Sequence, residues 1–154
     1  MKQILLILAV VMGQPVLAQK PLTKEESAKF IEAAIRKAAK KPTGELTKAD
    51  LEKVTWLNLD DNQLTDVTAL QELTQLKELY LYNNQLTQVT GLKELTQLTS
   101  LYLNGNQLTD VTALKELTQL TRLWLRGNPD LTKAQIDELK KALPKCEIKS
   151  NPTK

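Results

Sequence analysis

Two consecutive stretches decide the fold: LKELYLYNNQLTQVTGLKELTQ at residues 76–97 and LTSLYLNGNQLTDVTALKELTQ at residues 98–119. They are identical at 16 of 22 positions, and the same frame continues on both sides of them. Its period is marked by asparagines that follow one another at intervals of 22 residues, at Asn62, Asn84, Asn106 and Asn128. A repeat of this length predicts a solenoid, in which each copy forms one coil and packs only on its neighbours.

Within each copy the segment Leu-x-Leu predicts a short strand, as at Leu79 and Leu81. Alternate side chains of a strand point to opposite faces, so the leucines turn inward and the x residues turn outward. A copy of 22 residues is too short for two helices but long enough for a strand and a return path, which predicts parallel strands in a right-handed coil. Apolar residues three positions apart in the return path predict 3₁₀ turns. The asparagine follows the strand where the chain turns inward, and we expect its amide to satisfy buried main-chain groups.

This frame, repeated in phase from residue 54 to residue 128, resembles the leucine-rich repeat family. The 22-residue subtype is similar to that of bacterial internalins and of a eukaryotic phosphatase regulatory subunit. The resemblance implies an α/β fold: a curved solenoid with parallel strands on a concave face that binds macromolecules, and 3₁₀ turns on the convex face. The sequence has about five coils and shows neither a sortase signal nor an immunoglobulin-like stretch after the repeats, so we do not extend the adhesion role of internalins to it.

Helical caps are predicted at both ends of the repeats, because the end coils of a solenoid expose core and strand edges. Residues 22–53 form the N-terminal cap, with capping boxes that begin at Thr23 and Thr47, and Pro42 and Gly44 are expected to end the first helix. The expected inward stripe of that helix is Ala28, Ile31, Ile35 and Ala38. Residues 129–151 supply a C-terminal helix and a fifth, closing strand.

The closing strand is predicted from Leu143-x-x-Cys146-x-Ile148-x-x-Asn151, which repeats the strand frame with Cys146 in place of a leucine. We expect Cys146 to be a small buried hydrophobic residue, and a reactive or dimer-forming thiol is the alternative.

Residues 1–18 are predicted to be a secretory signal peptide. Lys2 precedes a nine-residue apolar run at residues 4–12, and Val16, Leu17 and Ala18 suit cleavage after Ala18. The run is far shorter than the roughly 20 residues of a membrane-spanning helix. A buried N-terminal helix is the alternative. With the family resemblance, this segment predicts a bacterial protein that is secreted or periplasmic.

Composition argues against catalysis and nucleic-acid binding. The chain has no histidine and a single cysteine, which removes imidazole-based catalysis, imidazole metal sites and Cys-x-x-Cys chemistry. A net charge of +3 without a basic run does not favour a nucleic-acid groove. No paired carboxylates, glycine-rich phosphate loop or calcium loop are present in the sequence. We therefore expect no enzyme, no cofactor and no metal.

Outward strand positions form the predicted functional surface, which we read as three columns across the strands. The central column is Asn58, Tyr80, Tyr102, Trp124 and Glu147. The preceding column is Trp56, Glu78, Ser100, Arg122 and Lys145. The following column is Asp60, Tyr82, Asn104, Arg126 and Lys149.

Every Trp and Tyr of the chain lies in these columns, and Trp, Tyr and Arg dominate the energetics of protein interfaces. The predicted partner-binding residues are Trp56, Tyr80, Tyr82, Tyr102, Arg122, Trp124 and Arg126. An aromatic patch bordered by Arg122, Arg126 and Lys145 would favour a partner with an acidic segment. We expect a monomer that binds another protein. The alternatives are a glycan-binding module that stacks sugars on the rings, and a structural repeat whose aromatic residues only support neighbouring strands.

Overall fold

The computed structural model describes residues 20–151, and the predicted signal peptide lies outside this range. Within it, five short strands form one parallel sheet in chain order. The strands are β1 (Trp56–Asn58), β2 (Glu78–Tyr80), β3 (Ser100–Tyr102), β4 (Arg122–Trp124) and β5 (Glu147–Lys149). The return paths carry 3₁₀ turns at Thr68–Leu70, Thr90–Leu92 and Thr112–Glu116, and successive turns contact one another. The predicted solenoid is confirmed.

The core is a set of leucine columns that run through the coils. Leu79 pairs in register with Leu57 on one side and with Leu101 on the other, and the exposed fraction of these three side chains is 3% or less. Burying one leucine side chain stabilises a protein by about 1.5–3 kcal/mol. Because every coil contributes the same inward positions, the apolar core is continuous from the first helix to the last.

The repeated asparagines form a hydrogen-bonded ladder inside the turn after each strand. The Nδ2 of Asn106 donates to the carbonyl oxygens of Leu81 (2.9 Å) and Leu103 (3.0 Å), and its Oδ1 accepts from the amide of Leu86 (3.1 Å). Asn84 and Asn128 make the equivalent contacts and are buried, whereas Asn62 in the first coil is half-buried. The predicted structural role of these side chains is confirmed.

Two helices, α1 (Lys24–Ala38) and α2 (Lys48–Leu51), precede the first strand, and each begins with the predicted capping box. The inward stripe of α1 differs from the prediction. Ser27, Ile31 and Ile35 of the helix and Ala39 at its C-cap are buried, while Ala28 is half-buried and Ala38 is exposed. The stripe follows a spacing of four residues, and it includes a polar residue because the hydroxyl of Ser27 accepts a hydrogen bond from the amide of Thr65.

The helix α1 also ends earlier than Pro42 and Gly44 indicated. Lys40 adopts a left-handed conformation with φ of 55°. The amide of Lys41 donates to Arg36 O, and the amide of Lys40 donates to Lys37 O, which is the pattern of a Schellman motif. The chain therefore leaves the helix at a lysine in the position that glycine usually takes.

At the other end, α3 (Lys133–Ala142) leads into β5, and the pairing of β5 corrects the predicted frame. Ile148, and not Cys146, lies opposite Leu123. The reason is the turn after α3, in which the amide of Cys146 bonds back to the carbonyl of Leu143, so Cys146 precedes the strand. Cys146 packs against the core but is only half-buried, and burial raises the pKa of its thiol to about 11. The expectation of full burial was wrong.

Among residues 20–151 we find no helix with the length and hydrophobicity that a membrane span requires.

Candidate functional site

Four aromatic side chains form a continuous row across the outward face of β1 to β4. Trp56 is tilted against Tyr80 with ring centroids 5.9 Å apart, and Tyr80 stacks on Tyr102 at 4.5 Å with an interplanar angle of 12°. Trp124 meets Tyr102 edge to face at 5.0 Å. These spacings suit favourable aromatic pairs, each contributing about 0.5–1.5 kcal/mol beyond burial. We call these four residues the aromatic row.

The strand pleat explains why the aromatic row faces outward. In β1 to β4 the central leucine is buried, and the residues on either side of it point to the other face of the sheet. Tyr80, Tyr102 and Trp124 are half-buried because each ring leans on the next, whereas Trp56 at the free end is 52% exposed. The predicted contact of Tyr80, Tyr102 and Trp124 on adjacent strands is observed, but only Tyr80 and Tyr102 stack, because Trp124 meets Tyr102 edge to face.

The other three predicted binding residues, Tyr82, Arg122 and Arg126, are exposed beside the aromatic row. Tyr82 and Arg126 follow their strands by two residues. Arg122 lies on β4, and its Nε donates to the hydroxyl of Ser100 at 3.1 Å. Ser100 is on the predicted face but is completely buried.

The register of β5 corrects the predicted columns at the C-terminal end. Glu147 lies opposite Arg122, Lys149 lies opposite Trp124, and Lys145 is not part of the strand. The ammonium of Lys149 is 4.7 Å from the ring centroid of Trp124 and forms a 3.2 Å salt bridge with Glu147. A cation on an aromatic face contributes about 0.5–1 kcal/mol at an exposed site. Lys149 is therefore the cation that contacts a ring of the aromatic row, and the positive charge of Arg122 has an acidic neighbour on β5.

Polar groups near the first two coils are tied into the sheet. The hydroxyl of Tyr80 donates to Glu78 Oε2 at 3.2 Å, and burial together with this carboxylate raises the pKa of Tyr80. Asp60 Oδ1 accepts from the amide of Tyr82 at 2.6 Å, yet burial raises the pKa of Asp60 because desolvation outweighs that hydrogen bond.

At the C-terminal end of the aromatic row, the indole N–H of Trp124 is buried and has no hydrogen-bond partner within residues 20–151. A buried donor of this kind is unusual, since such groups are nearly always satisfied.

One residue near this face was missed by the sequence interpretation, and another was placed in the wrong column. Phe30 is the only phenylalanine of the chain, and it is 38% exposed on α1. Its position off the buried stripe of the helix was the available signal. Lys149 was assigned to the wrong column, and no local signal in the sequence fixes the length of the turn before β5.

Within the described part of the chain, no cluster of three His, Cys, Asp or Glu side chains is arranged to hold a metal ion. The face combines aromatic rings with guanidinium, ammonium, carboxylate and amide groups, which are groups that suit recognition of a surface.

The family model for leucine-rich repeats in two copies matches residues 52–94 and 96–141, which is more than half of the chain. The chain belongs to the leucine-rich repeat family. No curated protein matches this leucine-rich repeat chain in sequence.

Solved structures similar to this leucine-rich repeat protein include three internalins of Listeria monocytogenes. Internalin InlF is 32% identical with a TM-score of 0.60, and the match covers 72% of this chain and 34% of the InlF chain. Internalin C2 is 31% identical with a TM-score of 0.65, covering 75% and 50%. The functional domain of InlJ, which includes a cysteine ladder, is 26% identical with a TM-score of 0.67, covering 79% and 26%. The chain thus spans between a quarter and a half of the length of these structures.

Proposed function

We propose that this protein is a secreted or periplasmic, non-catalytic module that binds another protein through the aromatic row. The single observation that carries the proposal is the continuity of Trp56, Tyr80, Tyr102 and Trp124 across four adjacent strands. Aromatic residues and arginine are enriched in interface hot spots, and Arg122 and Arg126 flank the row as exposed side chains. Secretion rests on the signal-peptide pattern of residues 1–18.

The orientation of the rings favours a protein partner over a glycan. Sugars stack on ring faces that are open to solvent. The facing sides of Tyr80 and Tyr102 cover each other, since the two rings are nearly parallel and 4.5 Å apart. The exposed Trp56, the ring edges and the arginine side chains remain for contact, and together they suit the pockets and charged groups of a protein surface.

Electrostatics narrow the chemistry of that partner. Arg126 and Lys149 lie at the C-terminal end of the row, whereas Asp60 and Glu78 lie at the N-terminal end. A partner with an acidic segment over β4 and β5 would match this polarity. Glu147, opposite Arg122, reduces the positive potential there and makes Arg126 the main cation for such a segment.

The test replaces Tyr80, Tyr102 and Trp124 together by serine and compares crosslinked partners captured from the envelope fraction of the producing cell. The matched control replaces Thr74, Thr96 and Thr118, one exposed position in three coils, by alanine. We expect the serine variant alone to lose its protein partner, because hot-spot truncations cost about 2 kcal/mol or more each.

Circular dichroism and a thermal melt establish that the serine variant is folded. Unchanged capture by that folded variant contradicts the proposal. A glycan array read with the same proteins separates the alternatives: binding to glycans that the serine variant loses, without loss of a protein partner, assigns the row to carbohydrate. If neither ligand class depends on the row, the repeats are structural.

A further inference from the structure

A groove of about 860 Å³ lies between the helix α1 and the first strand. One wall is the α1 face that carries Phe30, Ala34 and Ala38, and the other wall is the continuous segment 54–58. The groove therefore follows an edge strand along one side and a helix along the other. It shares Trp56 with the aromatic row, and its other lining residues lie outside that row.

The outer edge of β1 offers unused main-chain hydrogen-bonding groups to this groove. β1 is the first strand of the sheet and pairs only with β2. The carbonyl of Thr55 accepts hydrogen bonds from amides of the second coil, and the amide of Leu59 donates to a carbonyl of that coil. Successive residues of a strand direct their main-chain groups to opposite sides. The N–H and C=O groups of Trp56 and Asn58 therefore point away from β2. Within residues 20–151, no main-chain group outside the sheet bonds to these two residues. A free edge of this kind can pair with an added strand.

The groove is also apolar and carries only positive charge. Phe30 and Trp56, two of the three large hydrophobic side chains exposed in the described chain, lie at its mouth. Its charged lining residues are Lys37 and Lys53, and no carboxylate lines it. Lys53 pairs with Asp50 at 3.2 Å, but its side chain is still 64% exposed. An occupant should therefore combine apolar side chains with carboxylates.

We propose that the groove binds an extended segment of a partner protein, with alternating apolar and acidic residues, by strand addition to the free edge of β1. Main-chain hydrogen bonds to Trp56 and Asn58 hold the segment, apolar side chains contact Phe30 and Ala34, and carboxylates face Lys37 and Lys53. The chain's own residues 1–19 suit the groove less well, because they include Lys2 and no Asp or Glu. This site goes beyond the aromatic row and can exist whether or not the row binds a partner.

The test is an NMR titration of the ¹⁵N-labelled full chain with an end-blocked octapeptide of alternating Val and Glu. We expect shifts and slower hydrogen exchange at the amides of Trp56 and Asn58. An otherwise identical Val and Lys peptide should bind about tenfold more weakly, because it places cations against Lys37 and Lys53. A Val and Glu peptide methylated on alternate main-chain nitrogens, so that the donors facing β1 are lost, should also bind about tenfold more weakly.

Three variants separate this site from the rest of the molecule. Ala38→Glu adds bulk and negative charge at an exposed position of the groove, and we expect about tenfold weaker binding of the Val and Glu peptide. Ala134→Glu, at an exposed alanine of α3, is the matched control and should leave binding unchanged. Trp124→Ser removes one end of the aromatic row and should also leave binding of this peptide unchanged.

The proposal is overturned if the Val and Glu peptide does not bind at millimolar concentration, or if the methylated or Val and Lys peptide binds equally well. Equal weakening by Ala38→Glu and Ala134→Glu also overturns it. If the amides of Trp56 and Asn58 are protected without peptide, and deletion of residues 1–19 removes that protection, the groove belongs to the chain's own N-terminal segment.

Discussion

The repeated asparagine of the solenoid satisfies main-chain groups that are buried in the turn after the strand. Asn106 contacts main-chain groups of its own coil and of the coil before it, and its exposed fraction is only 3%. Three of its four hydrogen bonds are to buried groups, and the fourth, from its Nδ2 to Asn104 O, is partly buried. The position therefore tolerates little chemical change, for a structural reason.

We predict that Asn106→Ala lowers the free energy of unfolding by about 2–4 kcal/mol, because two carbonyls and one amide lose their partner in the core. The measurement is urea denaturation followed by circular dichroism. Asn62→Ala is the control, since Asn62 is half-buried and, among residues 20–151, its side-chain Nδ2 donates to Asp60 O alone. If the two variants lose the same free energy of unfolding, the burial of the asparagine does not determine how much it stabilises the protein.

Gly91 is a position where the repeat pattern suggests a residue that the structure has no room for. The corresponding positions of the neighbouring coils are Ala69 and Ala113, so the repeat itself suggests alanine as the better residue. A Cβ on Gly91, however, would lie 2.7 Å from the Cα of Thr68 and 2.8 Å from the carbonyl oxygen of Val67. Both are main-chain atoms that cannot move aside without displacing the preceding turn.

We predict that Gly91→Ala destabilises the protein by about 1–3 kcal/mol, the usual range for overpacking. Where space permits, the same substitution stabilises by about 0.4–1 kcal/mol through the unfolded chain. The steric effect should therefore decide the sign. Ala113→Gly serves as the companion variant, and chemical denaturation of both proteins is the measurement. An increase in stability for Gly91→Ala would show that the turn has room to adjust.

At the level of elements, the short helix α2 is tied to the end of α1 through Asp50. Its carboxylate accepts from the ammonium of Lys41 at 2.7 Å and from the amide and hydroxyl of Thr47, and Lys53 approaches at 3.2 Å. Lys41, followed by the Thr47 hydrogen bonds, holds the pKa of Asp50 well below its ordinary value of 3.8. This one side chain caps a helix and also fixes the connection between two helices.

A depressed carboxyl pKa predicts the direction of the pH dependence. The ionised Asp50 stabilises the folded protein fully above the unfolded pKa of 3.8, and this contribution decreases as the pH falls from there toward the folded pKa. We expect Asp50→Asn to unfold more easily than the wild type at pH 7, and the difference to shrink below about pH 4. Thermal melts across this range are the measurement, with Asp130→Asn at an exposed turn as the control. A difference independent of pH would exclude ionisation as its cause.

The elements also show where local sequence information is sufficient. Strands β1 to β4 and all three capping boxes agree with the sequence, because the leucine alternation and the Thr side chains act within a few residues. The end of α1 and the register of β5 do not. Both depend on how tightly a turn closes, and at Lys40 the chain adopts a left-handed turn with a residue that does not normally signal one.

On the scale of the whole molecule, stability is the sum of contributions from the individual coils and from the contacts between neighbouring coils along the solenoid. Each coil contacts its neighbours and makes few other contacts, so the two caps close a stack that would otherwise end on bare leucines. At the C-terminal end, α3 covers the last 3₁₀ turn and β5 pairs with β4.

We predict that deletion of residues 129–154 causes aggregation, because it exposes Leu123 and Leu125 and leaves the edge of β4 unpaired. Size-exclusion chromatography with light scattering is the measurement, and deletion of residues 152–154 alone is the control. A soluble, monomeric protein that lacks residues 129–154 would show that the C-terminal cap is dispensable.

The sequence by itself determined the solenoid, the inward leucines, the asparagine ladder and the outward position of Tyr80, Tyr102 and Trp124, because all of these follow from a fixed period of 22 residues and from strand alternation. Only the tertiary structure decided which cation meets Trp124, that Arg122 covers Ser100, and that Phe30 and the edge of β1 form a groove. Those features join residues from segments outside the periodic frame or from different coils. Their contacts depend on the packing of whole elements, which no local pattern specifies.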